Sequence, residues 1–189
     1  NGISRGEFWL SKQRKSAGQG ELISEDELIG RVSDTIETSV SRQLRSDVPL
    51  GIFLSGGVDS SLITHFAARH SRTQLTAFTF RIGDNKDEVE AAKKVAERYG
   101  LNHRTVGLHS ADFDHFPKAI ACMDSPVGDA IVLPTYKLCE VASREVKVVL
   151  TGEGADELFG GYIHFPVLQR LGYLSERMPA LSLLSPMIK

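Results

Sequence analysis

The feature that most constrains this chain is an alternation. Short apolar and β-branched runs at 50–54, 75–82, 103–108 and 146–151 are separated by segments that carry helical periodicity. Strands joined through helices pair in parallel, because each crossover returns the chain in the same direction and packs back onto the sheet with one hand. The expected fold class is therefore α/β, a parallel sheet with helices on both faces; the strand order 3-2-1-4 is expected on a separate ground, that the segments after the first and fourth strands both carry acids and should be neighbours. Helices are expected near 60–69 and 87–99, and as helix-like stretches between 111 and 145. A longer one precedes the first strand: Ser24 and Glu27 form an S-x-x-E capping box, and Leu28, Ile29, Val32, Ile36, Val40 and Leu44 follow mostly at steps of four.

The 189 residues suit one compact domain. The expected division is a linker or arm over 1–20, a catalytic-type domain over 21–165, and the start of a further, truncated helical region over 166–189. Lys plus Arg number 22 against 24 Asp plus Glu, a net charge of -2. That balance supplies no field to hold a phosphate backbone or an anionic membrane, so neither nucleic acid nor membrane is an expected partner. No run of 18 apolar residues and no signal peptide is seen, and the two cysteines, Cys122 and Cys139, lack metal or disulfide spacing. A cytoplasmic location is expected. The chain starts at Asn1 and not at Met, which points to an excised piece of a longer polypeptide.

Two glycine-rich segments follow buried strands. The first is Ser55-Gly56-Gly57-Val58-Asp59-Ser60-Ser61, and the second runs Thr151-Gly152-Glu153-Gly154-Ala155-Asp156-Glu157-Leu158-Phe159-Gly160-Gly161-Tyr162. In an open parallel sheet, ligands bind beyond the carboxyl ends of the strands where the strand order reverses, so these segments are the candidate site. Two glycines let strand turn into helix without side chains in the way, and backbone amides at the helix start suit a pyrophosphate. Asp59 adds a carboxylate where a Mg²⁺ accompanying a polyphosphate would sit. There is no G-x-x-x-x-G-K-S/T sequence, and Gly152-Glu153-Gly154 continues to Glu157 where a dinucleotide fingerprint needs glycine. A nucleotide site without a P-loop lysine remains. Acids at 153, 156 and 157 also suit plain capping of the next helix.

The string SGGVDSS resembles the PP-loop of the ATP pyrophosphatases, and LTGEGADELFGGY resembles the signature of the synthetase domain of glutamine-dependent asparagine synthetases. Asp87-Glu88, Ala92, Val95-Ala96, Gly100 and His103, and later Asp124, Pro126, Asp129 and Pro134, are similar to the pattern between them. The resemblance implies an adenine nucleotide alpha hydrolase-like fold and ATP-dependent amide formation. Aspartate is adenylated at its side-chain carboxylate with release of pyrophosphate, then captured by ammonia to give asparagine. It further implies that Ser55, Gly56, Gly57, Asp59 and Ser60 hold the pyrophosphate of ATP, and that Asp59 and Asp156 bind Mg²⁺. Glu153 would take a proton from the attacking ammonia. Phe53, Leu54, Ile82 and Gly152 would border the adenine and ribose, although Leu54 and Ile82 also suit any sheet core.

Family members carry a glutaminase domain with an amino-terminal cysteine nucleophile, and further helices after the second segment that include a lysine at the adenylating phosphate. Neither is expected within these residues, so the partner domain is expected in the full-length polypeptide, and this fragment is expected to bind nucleotide with little or no synthesis. Alternatives are adenylation of another carboxylate, as in β-lactam synthetases or sugar-modifying amidotransferases, and a non-catalytic nucleotide-binding module. Glu153 favours intermolecular amidation over lactam formation. Apolar residues near both ends, Phe8 to Leu10 and Leu171 to Ile188, leave association of copies into a homo-oligomer open.

Overall fold

In a computed structural model the described residues are 23–81, 83, 86–125, 127–167 and 170. The expected arm and nearly all of the expected terminal helical region, together with Ile82 and Pro126, lie outside them. The chain divides into two compact units, 1–35 and 36–189. Helix α1 spans Glu25–Gln43. In the first unit its start is held by Ser24, whose Oγ accepts the Glu27 backbone N–H at 3.2 Å, as the capping box predicts.

The second unit is the sheet domain. Strands β1 (Leu50–Phe53), β2 (Thr76–Arg81), β3 (Asn102–Gly107) and β4 (Val148–Leu150) form one parallel sheet in the order β3-β2-β1-β4. This is the expected order. Between them lie α2 (Val58–His70), α3 (Asp87–Arg98), a 3-10 turn (Ser110–His115), α4 (Phe116–Ala121) and α5 (Val132–Ala142), and α6 (Ala155–Phe159) follows β4. The stretch read as helix-like over 111–145 is thus three short elements with a non-helical passage before α5. Helix α2 begins at Val58, earlier than expected, and that places Asp59 and Ser60 in its first turn.

Register shows how the two faces are covered. Ile52 pairs with Ala77 and Leu150, and this face carries Val40 of α1, Phe66 and Ala67 of α2, and Ala92 and Ala96 of α3. Phe53 pairs with Phe78 on the opposite face, where Leu138 and Ala142 of α5 pack with Val106 and Val146. Ile52, Leu54 and Phe78 are 0–1% exposed, and each buried side chain of this size stabilises by about 1.5–3 kcal/mol. The anchoring therefore lies in β1 and β2. Edge strand β3 is mostly polar and half of its residues are exposed, with Arg104 Nε 2.9 Å from Glu145 Oε1. Because β1 and β4 are adjacent while the chain leaves β1 toward β2 on the other side, the strand order reverses between them. Their carboxyl ends open where the two glycine-rich segments begin.

Candidate functional site

The loop after β1 is closed on itself by short-range bonds. Ser55 Oγ accepts the Gly57 N–H at 3.3 Å and lies 2.9 Å from Ser60 Oγ, which also accepts the Ser55 N–H at 3.2 Å. Ser60 is buried, and its hydroxyl shapes the loop. The first bond from the helix interior is Ser61 N–H to the Gly57 carbonyl at 3.0 Å, so the N–H groups of Val58, Asp59 and Ser60 precede the intrahelical ladder, as at any helix start. Gly56 has a different task. It adopts φ +82°, and a Cβ there would lie 2.7 Å from Ala92 N and 2.8 Å from Ala91 Cβ, so the loop rests directly on α3. Two residues upstream of Gly56, the Leu54 carbonyl accepts the Thr79 hydroxyl at 2.6 Å. Since that proton is committed, Thr79 Oγ1 accepts from His103 Nε2 at 2.8 Å. Burial pushes the His103 pKa down. His103, noted in the sequence only as part of the pattern between the two segments, is part of a brace beneath the phosphate-type loop.

The loop after β4 reaches the same place. A Cβ on Gly152 would lie 3.0 Å from Ser60 N and 3.2 Å from Asp59 Cβ, so this glycine lets the second loop lie against the first turn of α2. Gly154 turns the chain at φ +88° into α6, whose first turn carries Asp156 and Glu157. The Tyr162 hydroxyl donates to Glu157 Oε1 at 2.7 Å. That bond holds the Glu157 carboxyl below its usual range and pushes Tyr162 up to about 12.

Both loops open onto one crevice of about 450 Å³, a size suited to a small-molecule ligand. It is lined by the expected Phe53, Leu54, Ser55, Asp59, Ser60, Gly152, Glu153 and Asp156. Gly56 and Gly57 are not among the lining residues, and Ile82 lies outside the described ones. Leu54 is only 1% exposed, because its side chain belongs to the core with Ala77, Ala92 and Ala96, so it presents little apolar surface to the crevice. The opposite wall was missed: Ile131, Pro134, Thr135 and Leu138 lie along one side at the start of α5, beside Phe80 of β2. Their spacing of three, one and three residues is a helical face, and it was legible in principle. Glu88 and Tyr162 complete the rim.

Asp59, Glu88, Glu153, Asp156 and Glu157 bring five carboxylates to this crevice, and no Lys, Arg or His lines it among the described residues. A polyphosphate would meet repulsion there without a cation. The donor set fits Mg²⁺, which takes hard carboxylate oxygens, keeps waters and shares the phosphates of its ligand. Among the described residues no three His, Cys, Asp or Glu side chains are grouped to hold a metal unaided. No described helix is long and apolar enough to cross a membrane.

These features define a class: a parallel α/β domain whose crevice, at the reversal of strand order, is built from two glycine-turned loops with acids at helix starts. Within that class the chain belongs to the asparagine synthase family, whose model matches residues 31–186. It is 39% identical over 142 residues to the glutamine-hydrolyzing asparagine synthetase 1 of Bacillus subtilis (strain 168), covering 73% of this chain and 22% of that protein. It is 34% identical over 146 residues to the glutamine-hydrolyzing asparagine synthetase 3 of Arabidopsis thaliana, covering 71% of this chain and 25% of that protein. The chain thus spans about a quarter or less of these relatives. A solved NH3-dependent NAD synthetase from Campylobacter jejuni aligns with a TM-score of 0.49 at 19% identity, covering 70% of this chain and 60% of that one.

Proposed function

We propose that this chain supplies the adenylating centre of a glutamine-dependent asparagine synthetase, acting on ATP and the side-chain carboxylate of aspartate. The observation that carries the reading is the shared crevice, which Asp59 from the first loop and Glu153 and Asp156 from the second all line beyond adjacent strands. Asp59 and Asp156 would hold a Mg²⁺ that neutralises charge building on the departing pyrophosphate. The early N–H groups of α2 bind the phosphates, and the Ser55–Ser60 pair keeps that turn in shape. Phe53, Phe80 and the α5 face give an apolar wall for the adenine. Attack of the aspartate carboxylate on the α-phosphorus expels pyrophosphate and leaves an acyl-adenylate. Ammonia then attacks its carbonyl carbon, Glu153 accepts the surplus ammonium proton, and AMP leaves. The ammonia is delivered by a glutaminase domain elsewhere in the longer polypeptide, and the assembly works in the cytoplasm.

Exchange of labelled pyrophosphate into ATP, measured on the full-length protein containing this chain, tests the reading. Exchange that depends on aspartate and Mg²⁺ is the expected outcome. Exchange driven by another carboxylate instead moves the assignment to a different amidation, and none with any carboxylate removes the enzyme.

A further inference from the structure

The consecutive glycines after α6 have separate tasks. Gly160 is the helix C-cap at φ +69°, a left-handed turn that favours glycine, and a Cβ there meets nothing closer than Phe165 at 3.9 Å. Gly161 is outside the left-handed region, so its backbone suits any residue. What forbids a side chain is one neighbour. An added Cβ would fall onto Asp156 Oδ1, and would lie 3.0 Å from Asp156 Cγ and 3.3 Å from Asp156 Cα. These three nearest atoms all belong to Asp156. The backbone closes the same contact, since Gly161 N–H donates to the Asp156 carbonyl at 3.1 Å.

From this we infer that Gly161 is a positioning residue for the Asp156 carboxylate: it leaves vacant the space into which that carboxylate turns, and so sets the orientation in which Asp156 meets a cation in the crevice. The inference rests on the functional reading above, in which Asp156 is a metal ligand. It deepens that reading by assigning the second glycine to metal affinity and the first to chain geometry. The two closest obstructed atoms, Oδ1 and Cγ, belong to a side chain that can rotate away, and the backbone Cα at 3.3 Å asks only for a small shift. A methyl at 161 therefore displaces the carboxylate and leaves the fold in place.

The experiment is calorimetry of ATP binding to the full-length protein containing this chain across a Mg²⁺ series, with thermal melts alongside. In Gly161→Ala the Mg²⁺ concentration giving half of maximal ATP binding rises about 10- to 100-fold, the scale on which residues that orient a metal ligand act. Saturating Mg²⁺ restores the affinity, and the melting temperature is unchanged. Gly128→Ala, where nothing lies within 4 Å of an added Cβ, leaves both quantities unchanged. In an Asp156→Ala background the 161 substitution adds nothing. An unaltered Mg²⁺ requirement in Gly161→Ala, a loss that excess Mg²⁺ does not rescue, or an additive double variant overturns the inference. If Gly161→Ala fails to fold, recovery of the fold in the Asp156→Ala background supports the contact and no recovery overturns it. A wild-type chain whose ATP binding ignores Mg²⁺ is a separate result: it sinks the functional reading and this inference with it.

Discussion

The two loops that build the crevice start alike and are held in opposite ways. The first rests on the core: Gly56 is packed into α3, Leu54 is buried beneath it, and α2 has 13 residues with Ser60, Thr64, Phe66 and Ala67 buried. Beyond Gly152, which lies against the first turn of α2, the second has no such foundation. Helix α6 has five residues, none buried, and Leu158 is 80% exposed. Its acids are held by local means, the Tyr162 hydroxyl on Glu157 and the space at Gly161 beside Asp156. The phosphate-type loop is thus preorganised by packing, whose cost is met once on folding, and the acidic loop by short polar contacts that cost little to disturb. Stability and ligand binding should separate between the two loops.

The largest effect is expected at Gly56. Gly56→Ala adds a left-handed penalty of about 1–2 kcal/mol to overpacking of about 1–3 kcal/mol against the α3 backbone. Gly154 has a similar φ with nothing within 4 Å of an added Cβ, so Gly154→Ala carries only the first penalty. Urea melts of the two variants measure the difference, and equal losses would remove packing from the account of the first loop.

Next in size is Asp59→Ala, which should weaken ATP binding in the presence of Mg²⁺ by at least about tenfold, or about 1.4 kcal/mol, while leaving the melting temperature unchanged. Asp59 is exposed. Undiminished affinity in calorimetry would withdraw Asp59 from the metal site.

The smallest effect belongs to Tyr162→Phe. Its hydroxyl holds the Glu157 pKa down, so the stability it lends is present above the carboxyl's ordinary titration range and is lost as pH falls through the lowered value. For Tyr162 the sign is reversed: a value raised from 10.0 to about 12 means stability present below the ordinary value and lost as pH rises toward 12. In Tyr162→Phe the Glu157 titration followed by NMR should move up toward the usual range. A Glu157 signal that stays in place would show that the acidic loop is held by something else.

Much of this was legible in advance where one local rule decides the outcome. Strand runs of the β1 and β2 kind alternate with helical periods, and parallel pairing follows from crossover geometry, while the strand order was legible only through the acids that the two glycine-rich segments share. The Ser24 cap was legible for the same reason, since donor and acceptor are three residues apart. The α5 wall was harder. Ile131, Pro134, Thr135 and Leu138 form a helical face, yet only the fold decides that this face looks across a sheet end and not into the core.

The sequence by itself determined the class of fold, the two loops and the acids they carry, because periodicity, glycine placement and charge are written within a few residues of one another. Tertiary structure alone decided what each glycine is for. Gly56 serves α3, Gly152 serves the start of α2 and Gly161 serves Asp156, and these neighbours are set by which elements the sheet brings side by side. It also decided that Thr79 and His103 brace the Leu54 carbonyl, a bond across three strands that no local pattern encodes. Backbone turns are chosen by the residues within them, whereas close approach depends on whatever the rest of the chain has placed opposite.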